Sequence, residues 1–341
     1  MTKIIYKSVK PIDKGVVIMR KLSKKIIPVV LAAAFAAPMF APASDPLIIS
    51  PIVAEAKANL PDSTEKKLTI GSVNIYEFGT IKLHAYNTAD PMADEFYLLE
   101  SDEGLVLLES GALKANVEEF NEYIKSLNKP LEGMLLSYHP NGYSTYGAAT
   151  IYATEGALAS WGENGGVRAL TNKFVNGFGA DKVATDLPTE ANIVKVGDTI
   201  TIAGIEFKIL GTADAEGNYA VAIPAINAVY RHMMGSDVHN ILPSIEYIDA
   251  EIADLKGCLK SGYNLILTSH YKPEEQTAVA RKIGYLRIVK GFAKTCKTKE
   301  EFINAVKQKF PNYQGDMYLD MTAGYLFKAS SSLPDSQNHS S

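Results

Sequence analysis

The chain contains no Gly-x-Ser-x-Gly turn and no catalytic-cysteine signature, so neither a serine nor a cysteine nucleophile has support. It also lacks a basic stripe interleaved with aromatics. Its 34 basic and 38 acidic residues are mixed along the sequence for a net charge of −4, which excludes nucleic acid as the expected partner. Cysteine is reduced to Cys258 and Cys296. Two such positions are no metal motif; they either pair or stand as separate thiols, and spacing does not decide. The glycines of "GENGG" at 162–166 lack phosphate-loop spacing, so the stretch reads as a flexible lid or an ordinary turn. No internal repeat occurs, and no linker breaks the chain between about residues 60 and 328.

What is present is a globular composition, 47% hydrophobic and 21% charged. The N-terminus has the pattern of an export signal. Arg20, Lys21, Lys24 and Lys25 precede an apolar run from Ile26 to Phe40, and small residues follow around Ala43 and again at Ala56–Ala58. The run is shorter than the ~20 residues a membrane span needs and carries Pro28 and Pro38, which favours cleavage over anchoring. Residues 1–18 are expected to be an upstream extension, 19–58 signal and linker, 59–328 one domain, and the polar 329–341, with His339, a disordered tail. The expected location is exported: periplasmic, cell-envelope or secreted.

Along the domain, "SVNIYEFG" and "IKLHAYN" alternate apolar and polar residues as strands do, and "DEFYLLES" and "GLVLLES" follow across a turn. Val117, Phe120, Ile124 and Leu127 fall on one helical face. "KPLEGMLLS" predicts a buried strand, "AATIYATEGALASW" a strand and helix, and "TITIAGIEFKIL" a hairpin turning at Ala203–Gly204. Two short strands flank Pro224. A helix then ends at Gly262, "YNLILTSH" is a buried strand, and two or three helices close the chain. The abundance of hairpins favours two packed mixed sheets with helices outside over a doubly wound sheet. His139, His232 and His270 each fall at or near a predicted strand end, where sites are usually built.

This order of parts resembles the metallo-β-lactamase superfamily over the whole domain. "GLVLLESG" is similar to the strand that normally ends in Asp-Thr-Gly, with Glu109 in place of the supporting Asp. "LLSYHPNGYSTYG" (135–147) is similar to the His-x-His-x-Asp-His loop. "GTADAEGN" matches the third ligand segment, "YRHMMGSDVH" the Gly-Asp element, and "TSHYKP" the final Gly-His-Gly-x-Pro. The resemblance implies an α+β fold, a four-layer αβ/βα sandwich of two mixed β-sheets with outer helices. It implies a zinc-dependent hydrolase whose ligand set is degenerate here. Without a gap the first motif falls on Tyr138, Pro140, Gly142 and Tyr143. With one deletion it falls on Ser137, His139, Asn141 and Gly142, which retains Pro140 and one ligand.

The carried-over ligands are therefore His139, His232, His270 and Asp214, with Glu216 a substitute for Asp214. Asn141 and Gly142 cannot hold a second ion, so at most one zinc is expected, a metal-free protein being the other outcome. Asp214 doubles as general base and Tyr143 as substrate or oxyanion contact. Tyr138, Tyr143, Tyr146 and Tyr152 either pack or line a pocket. His84 and His239 read as structural histidines. The expected activity is cleavage of a small ester or lactone; the alternative is a non-catalytic small-molecule binding protein on the same scaffold. Partners reduce to a small-molecule substrate or ligand, with no stable membrane span after cleavage. Oligomeric state is not legible.

Overall fold

A computed structural model describes residues 60–213, 217–232 and 235–327 of the chain. The expected extension, signal, tail, Asp214 and Glu216 lie outside these residues. Among the described residues no helix is long and apolar enough to cross a membrane.

One sheet runs β1 (Ser63–Lys67), β2 (Ser72–Phe78), β3 (Ile81–Asn87), β4 (Glu95–Glu100), β5 (Leu105–Leu108), β6 (Leu131–Leu135), β7 (Thr150–Ala153) and β8 (Asn192–Ile193) in spatial order. It is antiparallel up to β5 and parallel from β5 to β8. Helix α1 (Lys114–Ser126) connects β5 to β6, and α2 (Glu155–Trp161) and α3 (Gly166–Phe178) follow β7. The second sheet comprises β9 (Thr199–Ile202), β10 (Ile205–Gly211), β11 (Tyr219–Ile223), β12 (Ala228–Arg231), β13 (Leu265–Thr268) and β14 (Glu274–Glu275). Its strands pair antiparallel except β12 with β13. Helices α4 (Ile245–Ser261), α5 (Thr277–Thr295), α6 (Lys299–Lys309) and α7 (Asp316–Leu326) complete the chain.

Side-chain alternation sets the layers. On β11–β13, Tyr219, Val221, Ile223, Ala228, Tyr230, Leu265 and Leu267 join one core with residues of the first sheet. The intervening Ala220, Val229 and Ile266 join a second core with α4–α7. The same alternation on β4 turns Tyr97 toward Tyr230, while Phe96 packs on α1 through Phe120. Each fully buried aliphatic or Phe side chain contributes roughly 1.5–3 kcal/mol, so the alternating pattern alone fixes which face of each strand meets which layer. Two mixed sheets between helices are the α+β architecture expected from sequence.

The hairpin turns at Ala203 and Gly204, both at positive φ, and Gly262 caps α4 in the left-handed region. Gly162 closes α2 and Gly165 opens α3. A Cβ on Gly165 would meet Ser160 O at 2.0 Å, so "GENGG" is a tight helix–helix turn rather than a lid. Cys258 and Cys296 are both free. Gln276 donates to Leu259 O and Lys290 pairs with Asp249, so α4 and α5 run antiparallel and hold the two thiols at opposite ends.

Candidate metal centre

Three strands deliver the three histidines. β12 and β13 run parallel with Arg231 opposite Thr268, so His232 and His270 emerge together just past their ends. β6 delivers His139 from the facing sheet. The nitrogens that could bind a metal lie within 4.8 Å of one another. Ring centroids are separated by 5.1 Å (His139–His232), 5.4 Å (His139–His270) and 5.3 Å (His232–His270). Nε2 of His139 and Nε2 of His270 are buried and have no hydrogen-bond partner. Two orphaned nitrogens beside a third imidazole fit a cation, since a buried polar atom left unpaired is costly.

The surroundings orient the rings. Nδ1 of His270 hydrogen-bonds the Met92 carbonyl oxygen at 3.1 Å, which makes Nδ1 the protonated nitrogen and leaves Nε2 an acceptor. Tyr318 OH donates to the same carbonyl at 2.8 Å. Asp94 lies 3.0 Å from His270 Nδ1 through Oδ1, a charge contact out of line for a hydrogen bond; both its carboxylate oxygens lack hydrogen bonds at 0% exposure. Burial alone would raise the Asp94 carboxyl, but the His139 charge and the His270 contact outweigh it and leave the group below its ordinary value. Burial lowers His139, opposed by Asp94, and holds His232 well below the usual imidazole range with help from the other two rings. Neutral imidazoles are the metal-binding form.

Glu109 frames the His139 loop. It sits at φ +62 with its carboxylate buried. That carboxylate accepts from the backbone N–H of Ser137, of Tyr138 at 3.0 Å and of His139 at 2.8 Å, and from Tyr230 OH at 3.2 Å. Ser110 N–H returns a bond to the His139 carbonyl at 2.8 Å. Trp161 donates to the Ser137 carbonyl at 3.1 Å. The supporting role carried over to Glu109 thus has a geometric basis.

Asn141 and Gly142 turn away from the cluster. Asn141 Nδ2 donates to Thr171 Oγ1 and Ala184 O, each at 2.9 Å. Gly142 has φ +72, and a Cβ there would meet Val117 Cγ1 at 3.0 Å and Ala184 Cβ at 3.2 Å. Both residues thus pack against the α1 and α3 side of the loop. Tyr143 opens a short 3-10 turn (Tyr143–Tyr146) and packs half-buried on the core. Tyr138 stacks on His232 at 3.9 Å and 15°, and Tyr318 meets His270 edge-on at 6.0 Å. His84 bonds Tyr123 OH at 2.7 Å and Glu100 at 3.0 Å, and His239 bonds Tyr285 OH at 3.1 Å, both away from the cluster. Asp94 was not found from sequence; the only signal is an acid pair, Asp94–Glu95, leading into an apolar strand.

Among solved structures, a metallo-beta-lactamase family protein from Thermus thermophilus superposes with TM-score 0.52 at 14% identity, over 72% of this chain and 91% of its own. A beta-lactamase domain protein from Burkholderia ambifaria gives TM-score 0.50 at 15% identity, over 74% and 89%. No protein-family model and no curated protein matches the chain.

Proposed function

We propose that this chain, which has the metallo-β-lactamase fold, is an exported hydrolase that holds one zinc ion through His139, His232 and His270 and cleaves a small ester or lactone. The observation that carries the reading is the convergence of three imidazoles with two buried, unpartnered Nε2 atoms. Three imidazoles are a donor set suited to zinc with one position left open. When bound, the ion would supply Lewis acidity toward a carbonyl oxygen. His270 is oriented by Met92 O, and Glu109 sets the backbone that presents His139. Asp94 supplies a fixed negative charge beside two of the rings, the outer-layer role carboxylates play around metal-binding histidines. Tyr138 covers one face of His232 and excludes water from it. Asp214 remains the proposed general base.

Elemental analysis of the purified mature protein tests the reading. One zinc per chain, lost in His270→Ala with the fold retained by circular dichroism, is the expected result. Metal-free protein with unchanged folding would support the non-catalytic binding protein instead.

A further inference from the structure

We propose that Tyr318, on the last helix α7, is a positioning residue that keeps the His270 ring bonded to the Met92 carbonyl and out of line with the Asp94 carboxylate, and so fixes the direction of its metal-side nitrogen. The proposal deepens the metal-centre reading and rests on it. His270 Nδ1 carries one proton and faces two acceptors. Met92 O lies at 3.1 Å and takes the bond, whereas Asp94 Oδ1 lies at 3.0 Å and takes none. A carboxylate is the stronger acceptor, and Asp94 is fully buried with no other hydrogen bond. Acceptor strength alone would send the proton to Asp94, so something must hold the ring on the weaker partner.

Tyr318 is placed to do so twice over. Its hydroxyl donates to the same Met92 carbonyl at 2.8 Å, and its ring meets that of His270 at 6.0 Å and 61°. Burial, then the Asp94 charge, raises the hydroxyl, which keeps it a donor. From the other side, Asp90 Oδ1 accepts the Met92 N–H at 2.8 Å, and Ala93 O accepts the Tyr271 N–H at 2.7 Å. The carbonyl is thus held before His270 reaches it. Helix α7 is itself pinned to the segment that follows His232. Gln314 donates to Asp237 O at 3.0 Å and accepts from His239 N–H at 2.9 Å. Thr322, one turn beyond Tyr318, accepts from Leu242 N–H at 2.7 Å and donates to Asn240 O at 2.5 Å. A Cβ on Gly315 would meet Tyr318 Cδ2 at 2.7 Å and Val238 Cγ1 at 3.0 Å, so the helix start lies flush on both. One helix face therefore ties the His232 segment to the His270 ring.

The test follows the His270 Nδ1 proton by NMR in the metal-free full chain and zinc affinity by chelator competition. Tyr318→Phe keeps the ring and removes the hydroxyl. The proton should move downfield as Asp94 takes it, and zinc affinity should fall about tenfold or more as Nε2 swings away. Thr322→Val loosens the same helix without touching Met92 O; it should leave the proton in place and affinity within about twofold. Asp94→Asn alone should also leave the proton in place, because Met92 O already holds it. Adding Tyr318→Phe to Asp94→Asn should cost no further affinity, since no carboxylate remains to turn the ring. An unmoved proton or unchanged affinity in Tyr318→Phe overturns the proposal. So does the same response in Thr322→Val, a proton displaced by Asp94→Asn, or additive losses in the double variant. Should the wild type bind no zinc, the metal-centre reading fails, and the proton alone decides the role of Tyr318: a downfield move in Tyr318→Phe upholds it and an unmoved signal sinks it.

Discussion

Glu109→Gln removes one charge and one acceptor from the buried group that frames the metal-side loop. One carboxylate oxygen takes the N–H of Ser137 and Tyr138 and the hydroxyl of Tyr230; the other takes the N–H of Ser137 and of His139. A carboxamide offers only one acceptor oxygen, and its NH2 must face a backbone N–H whichever way it turns. At least one buried donor is then orphaned, at about 1–3 kcal/mol, and the remaining bonds lose charge assistance. Together these cost about 3–5 kcal/mol, a large share of the roughly 5–15 kcal/mol by which a domain is stable. Urea unfolding of metal-free protein, measured in chelator, should show a lowered midpoint with an unchanged slope. Competition with a zinc chelator should show affinity reduced by about tenfold or more, because the His139 backbone is no longer fixed. A metal-free Gln variant within about 0.5 kcal/mol of wild type, with zinc retention unchanged, would refute the view that this carboxylate holds the loop.

Asn141→Asp should destabilise by about 2–4 kcal/mol without gaining a metal, since aspartate cannot donate to Ala184 O; thermal unfolding and zinc stoichiometry check both halves. Asp94→Asn should weaken zinc binding about 10–100-fold with little effect on secondary structure, read by chelator competition and circular dichroism. His239 is held at about 4 by burial, below its ordinary value. The unfolded chain therefore binds more protons than the folded chain between pH 6.5 and 4. Stability should fall through that window, as pH is lowered, by about 1–3 kcal/mol, and His239→Gln should flatten the slope in urea titrations.

The fold was largely legible because its signals are periodic. The alternation in "YAVAI" and "LILT" assigns each side chain to one of two cores, and the turns at Ala203–Gly204 and Gly262 announce themselves by residue type. The three histidines were legible for a related reason: strand ends at one edge bring residues together that are far apart in sequence. The carboxylate beside them was not. Asp94 reaches His270 through a bridge between the start of β4 and the end of β13, a long-range pairing that no local pattern encodes. Side-chain direction was equally hidden. Tyr138 and Tyr143 share one short loop, yet the left-handed Gly142 between them sends one ring onto His232 and the other onto the core.

That left-handed glycine belongs to a loop whose anchors bear on how far the fold depends on a metal. In small zinc domains the metal supplies the folding energy, and the site collapses without it. Here the loop that carries His139 is fixed by protein groups alone: Glu109 from one side, Trp161 and Tyr219 from the other, and Asn141 against α3. None of these bonds passes through a metal ligand's imidazole. A Cβ on Gly142 would meet Val117 and Ala184, so the core leaves no room for a side chain at this position. Zinc affinity should then depend on the three rings, their outer carboxylate and the Glu109 frame, and metal-free stability on Glu109 and Asn141.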